Sequence, residues 1–162
     1  MSVIRFIALS TDQVNAYRRG SDANNQLPER HISDGAGNPC RHCLTDIATG
    51  VPFLILAHRP FDSDQAYAER GPIFLHAGSC PRYIATTQVP PMFLKRRQFL
   101  MRGYNADHRI VYGSGGVVLA DQLEAEAVKR FADPNIEYIH LRSGTYNCYQ
   151  CRIERDVPQS DR

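Results

Sequence analysis

Val51-Pro52-Phe53-Leu54-Ile55-Leu56-Ala57 is a nearly continuous apolar run, closed by Gly50 on one side and by the turn-forming Arg59-Pro60-Phe61-Asp62 on the other. It is too short for a typical helix and reads as a central, buried strand. Gly71 to Ala77 repeats the signal: Ile73-Phe74-Leu75 lies between a Gly-Pro turn and Gly78-Ser79-Cys80-Pro81, and the end of this second strand carries His76. Outward from this pair, Ser2 to Leu9 alternates well enough to be an opening strand. Ser10 or Thr11 caps a short helix through Val14 and Tyr17, which stops at Gly20 after Arg18 and Arg19. Ser21 to Pro39, rich in Asn, Gly and Pro, reads as a long loop. Phe99 to Tyr104 and Arg109 to Tyr112 flank Asn105-Ala106-Asp107-His108 and predict a β-hairpin. Val117 to Phe131 predicts a helix, with Leu119, Leu123, Ala127 and Phe131 on one face. Ile136 to Leu141 and Cys148 to Ile153 predict a closing pair of strands. Helices this few and this unevenly spaced do not make repeated βαβ units. The expected fold is therefore α+β, a mixed, mainly antiparallel sheet with two or more helices, in a single domain over 1–154 with a polar, frayed tail at 155–162.

A chain of 162 residues can bury a substantial core without disulfides or metal as a prerequisite. Its 43% hydrophobic and 22% charged composition is that of a globular protein, and a net charge of +2 argues against nucleic acid or an anionic membrane as partner. No apolar run approaches the ~20 residues needed to cross a bilayer, and the first ten residues lack the features of a signal peptide, so the cytoplasm is expected. Five cysteines leave at least one unpaired, and a reducing compartment disfavours disulfides, so they read as thiols or thiolates.

Pro39-Cys40-Arg41-His42-Cys43 places two thiols and an imidazole within four residues. Soft groups this close can hold a metal, form a redox pair or supply a nucleophile. One reading is a zinc site from Cys40, Cys43, His76 and Cys80, with two ligands on a knuckle-like turn and two from a strand end and the turn after it. A variant pairs Cys40 and Cys43 with Cys148 and Cys151, but on a strand Cys148 and Cys151 point to opposite faces. The other reading of both is as small buried hydrophobes.

Several motifs in one order, Pro39-Cys40-Arg41-His42-Cys43-Leu44, Arg59-Pro60-Phe61, Tyr67-Ala68-Glu69, Gly71-Pro72-Ile73-Phe74-Leu75-His76-Ala77 with Cys80, Arg102-Gly103-Tyr104, Arg109-Ile110-Val111-Tyr112-Gly113 and Tyr146-Asn147-Cys148-Tyr149, resemble the bacterial family catalogued as domain of unknown function 1203. The resemblance runs nearly end to end. It implies a single cytosolic domain and no particular activity, substrate or cofactor. The family's late motif has one cysteine where this chain adds Cys151, so the resemblance implies no essential role for Cys151.

A second reading is a cysteine-dependent enzyme acting on a small anionic metabolite. Cys40 or Cys43 is then the nucleophile, activated by His42 or His76, with Arg41, Arg59, Arg82, Arg102 and Arg142 lowering the thiol pKa or binding the anion if they converge. For a small anionic ligand the favoured residues are Arg59, Arg102 and His76, which sit inside motifs, while Glu69 is a candidate to orient one of them. His58, His140 and Arg142 lie near strand ends, where binding sites are often built. Gly113-Ser114-Gly115-Gly116 before the predicted helix resembles a phosphate-cradling loop in outline but lacks the established nucleotide-binding spacings. A third reading is a scaffold or interaction protein with no chemistry. The favoured one is a small-ligand- or metal-binding domain with a Cys/His site.

Overall fold

The computed structural model describes residues 4–157; Ser2 and Val3 of the expected opening strand, and 158–162 of the expected tail, lie outside the described residues. Strands β1 (Ile4–Ile7), β5 (Gln98–Tyr104), β6 (Gly116–Leu119), β7 (Tyr138–Ser143) and β8 (Tyr149–Arg155) form a five-stranded sheet in the order β1-β8-β7-β5-β6. Strands β2 (Glu29–Ile32), β3 (Pro52–His58) and β4 (Gly71–His76) form a second sheet in the order β2-β3-β4. Every pairing between these strands is antiparallel. Helices α1 (Thr11–Arg19), α2 (Pro91–Leu94) and α3 (Leu123–Arg130) complete an α+β domain. None of the described helices is long and apolar enough to cross a membrane.

One face of the large sheet is apolar. Phe6, Phe99, Met101, Ile139, Leu141, Cys151 and Ile153 pack there against Leu123, Ala127 and Phe131 of α3 and its flank, and against Met92 and Phe93 of α2. The period of two along a strand puts the intervening residues on the other face. That face carries a row across three strands, Arg102 opposite His140 and His140 opposite Arg152, beside the stacked rings of Tyr104 and Tyr138. A bulge between β7 and β8, where Leu141 pairs Cys151 but Arg142 pairs Tyr149, leaves Gln150 as an extra residue. It turns Tyr149 off the apolar face and brings its ring to 5.0 Å from that of His140.

In the small sheet β3 is central, as its apolar run predicts. Helix α1 covers it with Val14 and Tyr17, which pack with Leu54, Leu56, Ile73 and Leu75. Ser10 caps α1 by accepting from the Gln13 amide, and the Gly20 amide closes the other end on Ala16.

Four local expectations are corrected. The loop over 21–39 contains β2, a wholly exposed edge strand whose polar residues gave no apolar signal. The partner of β5 is β6, and Arg109–Tyr112 contributes only a bridge from Ile110 to Tyr104. Asn105 Oδ1 accepts from the Asp107 and Arg109 amides, His108 takes a positive φ, and Gly113 turns the chain away, so a true ladder resumes only at Gly116. Val117 and Val118 pair with β5, so the helix begins at Leu123 and the glycine run opens a strand rather than a helix N-terminus. Arg155 belongs to β8 rather than to a tail: its guanidinium donates to the carbonyls of Phe131, Asp133 and Ile136.

Candidate metal centre

Residues 39–46 form a tight turn whose mouth is a bridge between Pro39 and Asp46. The Leu44 amide donates to the Cys40 carbonyl and the Cys40 amide to Thr45, while Leu44 itself takes φ 52°, the left-handed conformation such a knuckle needs. Cys40 makes a parallel bridge to Phe74, and the Arg41 amide donates to the Phe74 carbonyl, so the turn is docked along the exposed edge of β4. That docking carries Cys40 and Cys43 to the strand end that presents His76, and the following turn returns Cys80 to the same spot.

The four donor atoms all lie within 4.8 Å of one another. Cys40 Sγ is 3.9 Å from Cys80 Sγ, and Cys43 Sγ is 3.4 Å from His76 Nδ1. With Zn–S near 2.3 Å and Zn–N near 2.05 Å, a tetrahedral ion requires edges of ~3.8 Å for S···S and ~3.6 Å for S···N. These two edges lie close to that figure, and 3.9 Å is far too long for a disulfide. The cluster can hold a metal ion and is compatible with zinc. All five cysteines are free.

Neighbouring groups complete the centre. His42, buried, lies with Nδ1 3.1 Å from Cys80 Sγ and Nε2 2.9 Å from the Thr11 hydroxyl. Thr45 Oγ1 is 3.0 Å from Cys43 Sγ, and the His76 amide donates to Cys40 Sγ at 3.4 Å. Arg18, from the last turn of α1, donates Nε to the His76 carbonyl and a terminal nitrogen to Cys80 Sγ. Hydrogen bonds from Cys43 and Cys80, followed by backbone amides, hold the Cys40 thiol far below the ordinary range, and the same sharing of protons pushes Cys43 and Cys80 up. Burial pulls His42 down and keeps it neutral.

Arg41 is 3% exposed; its guanidinium donates to the carbonyls of Pro39 and Tyr149 and lies over the Phe74 ring, with no carboxylate in ion-pair reach among the described residues. Burial lowers its pKa to about 10, so it stays cationic at neutral pH. A divalent ion held by three thiolates would carry one net negative charge, a counter-charge for this buried cation.

The remaining sequence candidates lie elsewhere. Cys151 is in the apolar core and Cys148 precedes β8 at the wall of a cavity, so neither joins Cys40 and Cys43. Arg59 pairs with Asp64, Arg82 holds the carbonyls of Ala8 and Leu9, and Arg102 and Arg142 share Glu69. These arginines have their polar partners away from the thiols, and His76 lies in the Cys/His cluster, apart from the ion pairs of Arg59 and Arg102. His42 approaches Cys80 rather than Cys40 or Cys43. The sequence reading missed Arg18, whose placement at a helix end is explained by the helix dipole alone, and also Thr11 and Thr45, which carry no spacing signal.

No curated protein and no solved structure is similar enough to the chain to match it. The chain matches, over residues 37–155, the family described as a protein of unknown function (DUF1203), a span that contains all four donors of the centre, and it belongs to that family.

Proposed function

We propose that this chain is a zinc-binding domain in which Cys40, Cys43, His76 and Cys80 hold one closed, four-coordinate ion with a structural role. The ion pins the 39–46 turn and the Cys80 turn to the end of β4. The observation that carries the reading is the approach of four soft donors, from three separate stretches of chain, to within 4.8 Å of one another. Three thiolates and one imidazole fill a tetrahedron and leave no open position, which is the mark of a structural rather than a catalytic ion. His42, Thr45 and Arg18 orient and neutralise the thiolates from outside, as outer groups do at metal sites. Free thiols throughout also suit a reducing compartment, which supports a cytoplasmic setting.

The test is elemental analysis of protein purified without a metal-affinity tag, together with a count of reactive thiols in the native and unfolded states. Near-stoichiometric zinc, with the three thiols of Cys40, Cys43 and Cys80 protected until unfolding, is the expected result. Absence of metal overturns it. One observation favours a second reading in that event: the His42 ring bridges Cys80 Sγ and the Thr11 hydroxyl, the layout of a thiol, a base and an orienting group. Fast, selective alkylation of one thiol of the Cys40, Cys43 and Cys80 cluster in metal-free protein would support a cysteine-dependent enzyme.

A further inference from the structure

Four buried side-chain atoms have no hydrogen-bond partner among the described residues: His58 Nε2, Gln65 Nε2, Arg102 Nε and His140 Nδ1; beside them Tyr104 Oη and Arg142 Nε fall outside strict hydrogen-bond geometry, although the Tyr104 hydroxyl and the Arg142 guanidinium approach each other. They are not scattered. Arg102, Tyr104, His140 and Arg142 share the polar face of β5 and β7, and the Tyr104 and His140 rings are 4.7 Å apart. His58 joins them through Tyr149, whose ring lies 5.4 Å from His58 and 5.0 Å from His140. Gln65 lies on the segment between Arg59 and Arg70 that covers this face with Phe61 and Glu69. Buried polar groups are normally paired, so a concentration of unpaired ones at one place points to a partner from outside the chain.

Charge is unbalanced at the same place. Arg102 and Arg142 bind a single oxygen, Glu69 Oε1, at 2.5 and 3.1 Å, and neither has another carboxylate in ion-pair reach among the described residues. Two guanidinium groups thus share one negative charge, although Arg142 is only 5% exposed. A planar guanidinium with unused N–H groups is the side chain best shaped to receive an oxyanion.

There is room for one. Arg142 and Glu69 line a cavity of about 400 Å³, which adjoins a second of about 550 Å³ lined by Arg59, His140 and Arg152. The two share His58, Pro60, Arg70 and Tyr149 as a common wall. Gln13 Nε2 donates to the Tyr17 hydroxyl, which lies 2.7 Å from His58 Nδ1. That hydrogen bond uses Nδ1 and leaves Nε2 as the unpaired ring nitrogen of His58 in the shared wall.

We propose that this double cavity binds a small organic anion whose carboxylate or phosphate group lies on Arg142 beside Glu69, with its uncharged part against Tyr149 and His58. The site shares no residue with the zinc centre, and zinc content measured on the same samples keeps the two readings separable. The experiment titrates ¹⁵N-labelled protein with inorganic phosphate and, separately, with succinate, following the arginine Nε–H and imidazole resonances. A saturable shift of the Arg142 signal is expected with at least one anion, and which anion responds identifies the head group. Arg142→Gln should weaken the response by about tenfold or more, the loss of a charge-assisted hydrogen bond. Glu69→Gln, which removes the competing carboxylate from a half-exposed position, should tighten it. Non-saturating shifts with both anions, an equal response in Arg142→Gln, or weakening in Glu69→Gln would each overturn the proposal. Should Arg142→Gln not fold, the direction of the Glu69→Gln effect decides.

Discussion

The Arg18 guanidinium lies 3.4 Å from Cys80 Sγ while the same side chain donates through Nε to the His76 carbonyl. One residue of α1 therefore steadies both of the donors that come late in the chain, and couples the helix to the centre. Arg18→Met keeps the stem and removes the charge. It should weaken zinc affinity by about tenfold while leaving stoichiometry at saturating metal unchanged, as loss of an outer-sphere partner does. Competition with a chromophoric chelator measures this. An unaltered affinity would reduce Arg18 to a helix-terminus charge.

Removing the ion should loosen the fold at the 39–46 turn and at the end of β4 first. A structural site that is well saturated adds about 4 kcal/mol, which for a chain of this size corresponds to roughly 10 °C in Tm. Chelation should lower the melting temperature by that order, added zinc should restore it, and Cys43→Ser should melt low with or without zinc. Calorimetry with and without chelator is the check.

Leu44 holds a positive φ at which glycine would be unstrained, yet it is buried beside the core. Relieving the backbone returns about 1–2 kcal/mol, whereas deleting a buried leucine side chain costs about 2–5 kcal/mol, so burial wins. Leu44→Gly should be destabilised by about 1–3 kcal/mol in urea unfolding, the difference of those two terms, with zinc content intact. A more stable variant would mean that the strained backbone dominates.

Burial, with arginines nearby, pulls the His58 pKa down to about 3 and lowers that of His140 as well. In the unfolded chain both titrate near 6.5, so below about pH 6.5 the unfolded state takes up protons that the folded state refuses. The stability present at neutral and higher pH is thus lost as pH falls from about 6.5 toward about 3, by up to about 1.4 kcal/mol per pH unit for each histidine. If the cluster holds an ion, its release in acid would add to this in parent and variant alike. The comparison is therefore with Tyr17→Phe/His58→Leu, whose slope in urea unfolding should be shallower by about one proton. Parallel slopes would contradict a neutral, buried His58.

Cys151 and Cys148 should differ from the four donors and from each other. Cys151→Ser places a hydroxyl in the apolar core and should cost about 1–3 kcal/mol without altering zinc content. Cys148→Ser, at a cavity wall ahead of β8, should leave stability and zinc content as they are. Loss of zinc in either variant would reassign the ligands.

Local pattern was a good guide where burial and backbone geometry agree. The apolar runs of β3 and β4, the Ser10-capped α1 and the closing strands were legible because each buries a face of its own period. β6 carries a helical pattern because Leu119, Leu123, Ala127 and Phe131 keep a spacing of four across a real change of structure. In the fold Leu119 is half exposed and Val118 is the residue that reaches the core. β2 gave no signal because an exposed edge strand is specified by the hydrogen bonds of β3 rather than by its own side chains.

The sequence by itself determined the α+β class, the family and the residue types that could hold a metal, since thiols and imidazoles are few and their spacing along the chain is visible. It could not determine that Cys80 returns to Cys40 across forty positions, because that follows from a parallel bridge between Cys40 and Phe74 and a turn after β4. The polar patch was further from view. Arg102, His140 and Arg152 come from three strands and meet only through the register of the sheet, and Tyr149 joins them only because one extra residue, Gln150, turns it to that face. Contacts between distant strands depend on register and bulges, which are settled by the packing of the whole core and leave no trace in local periodicity.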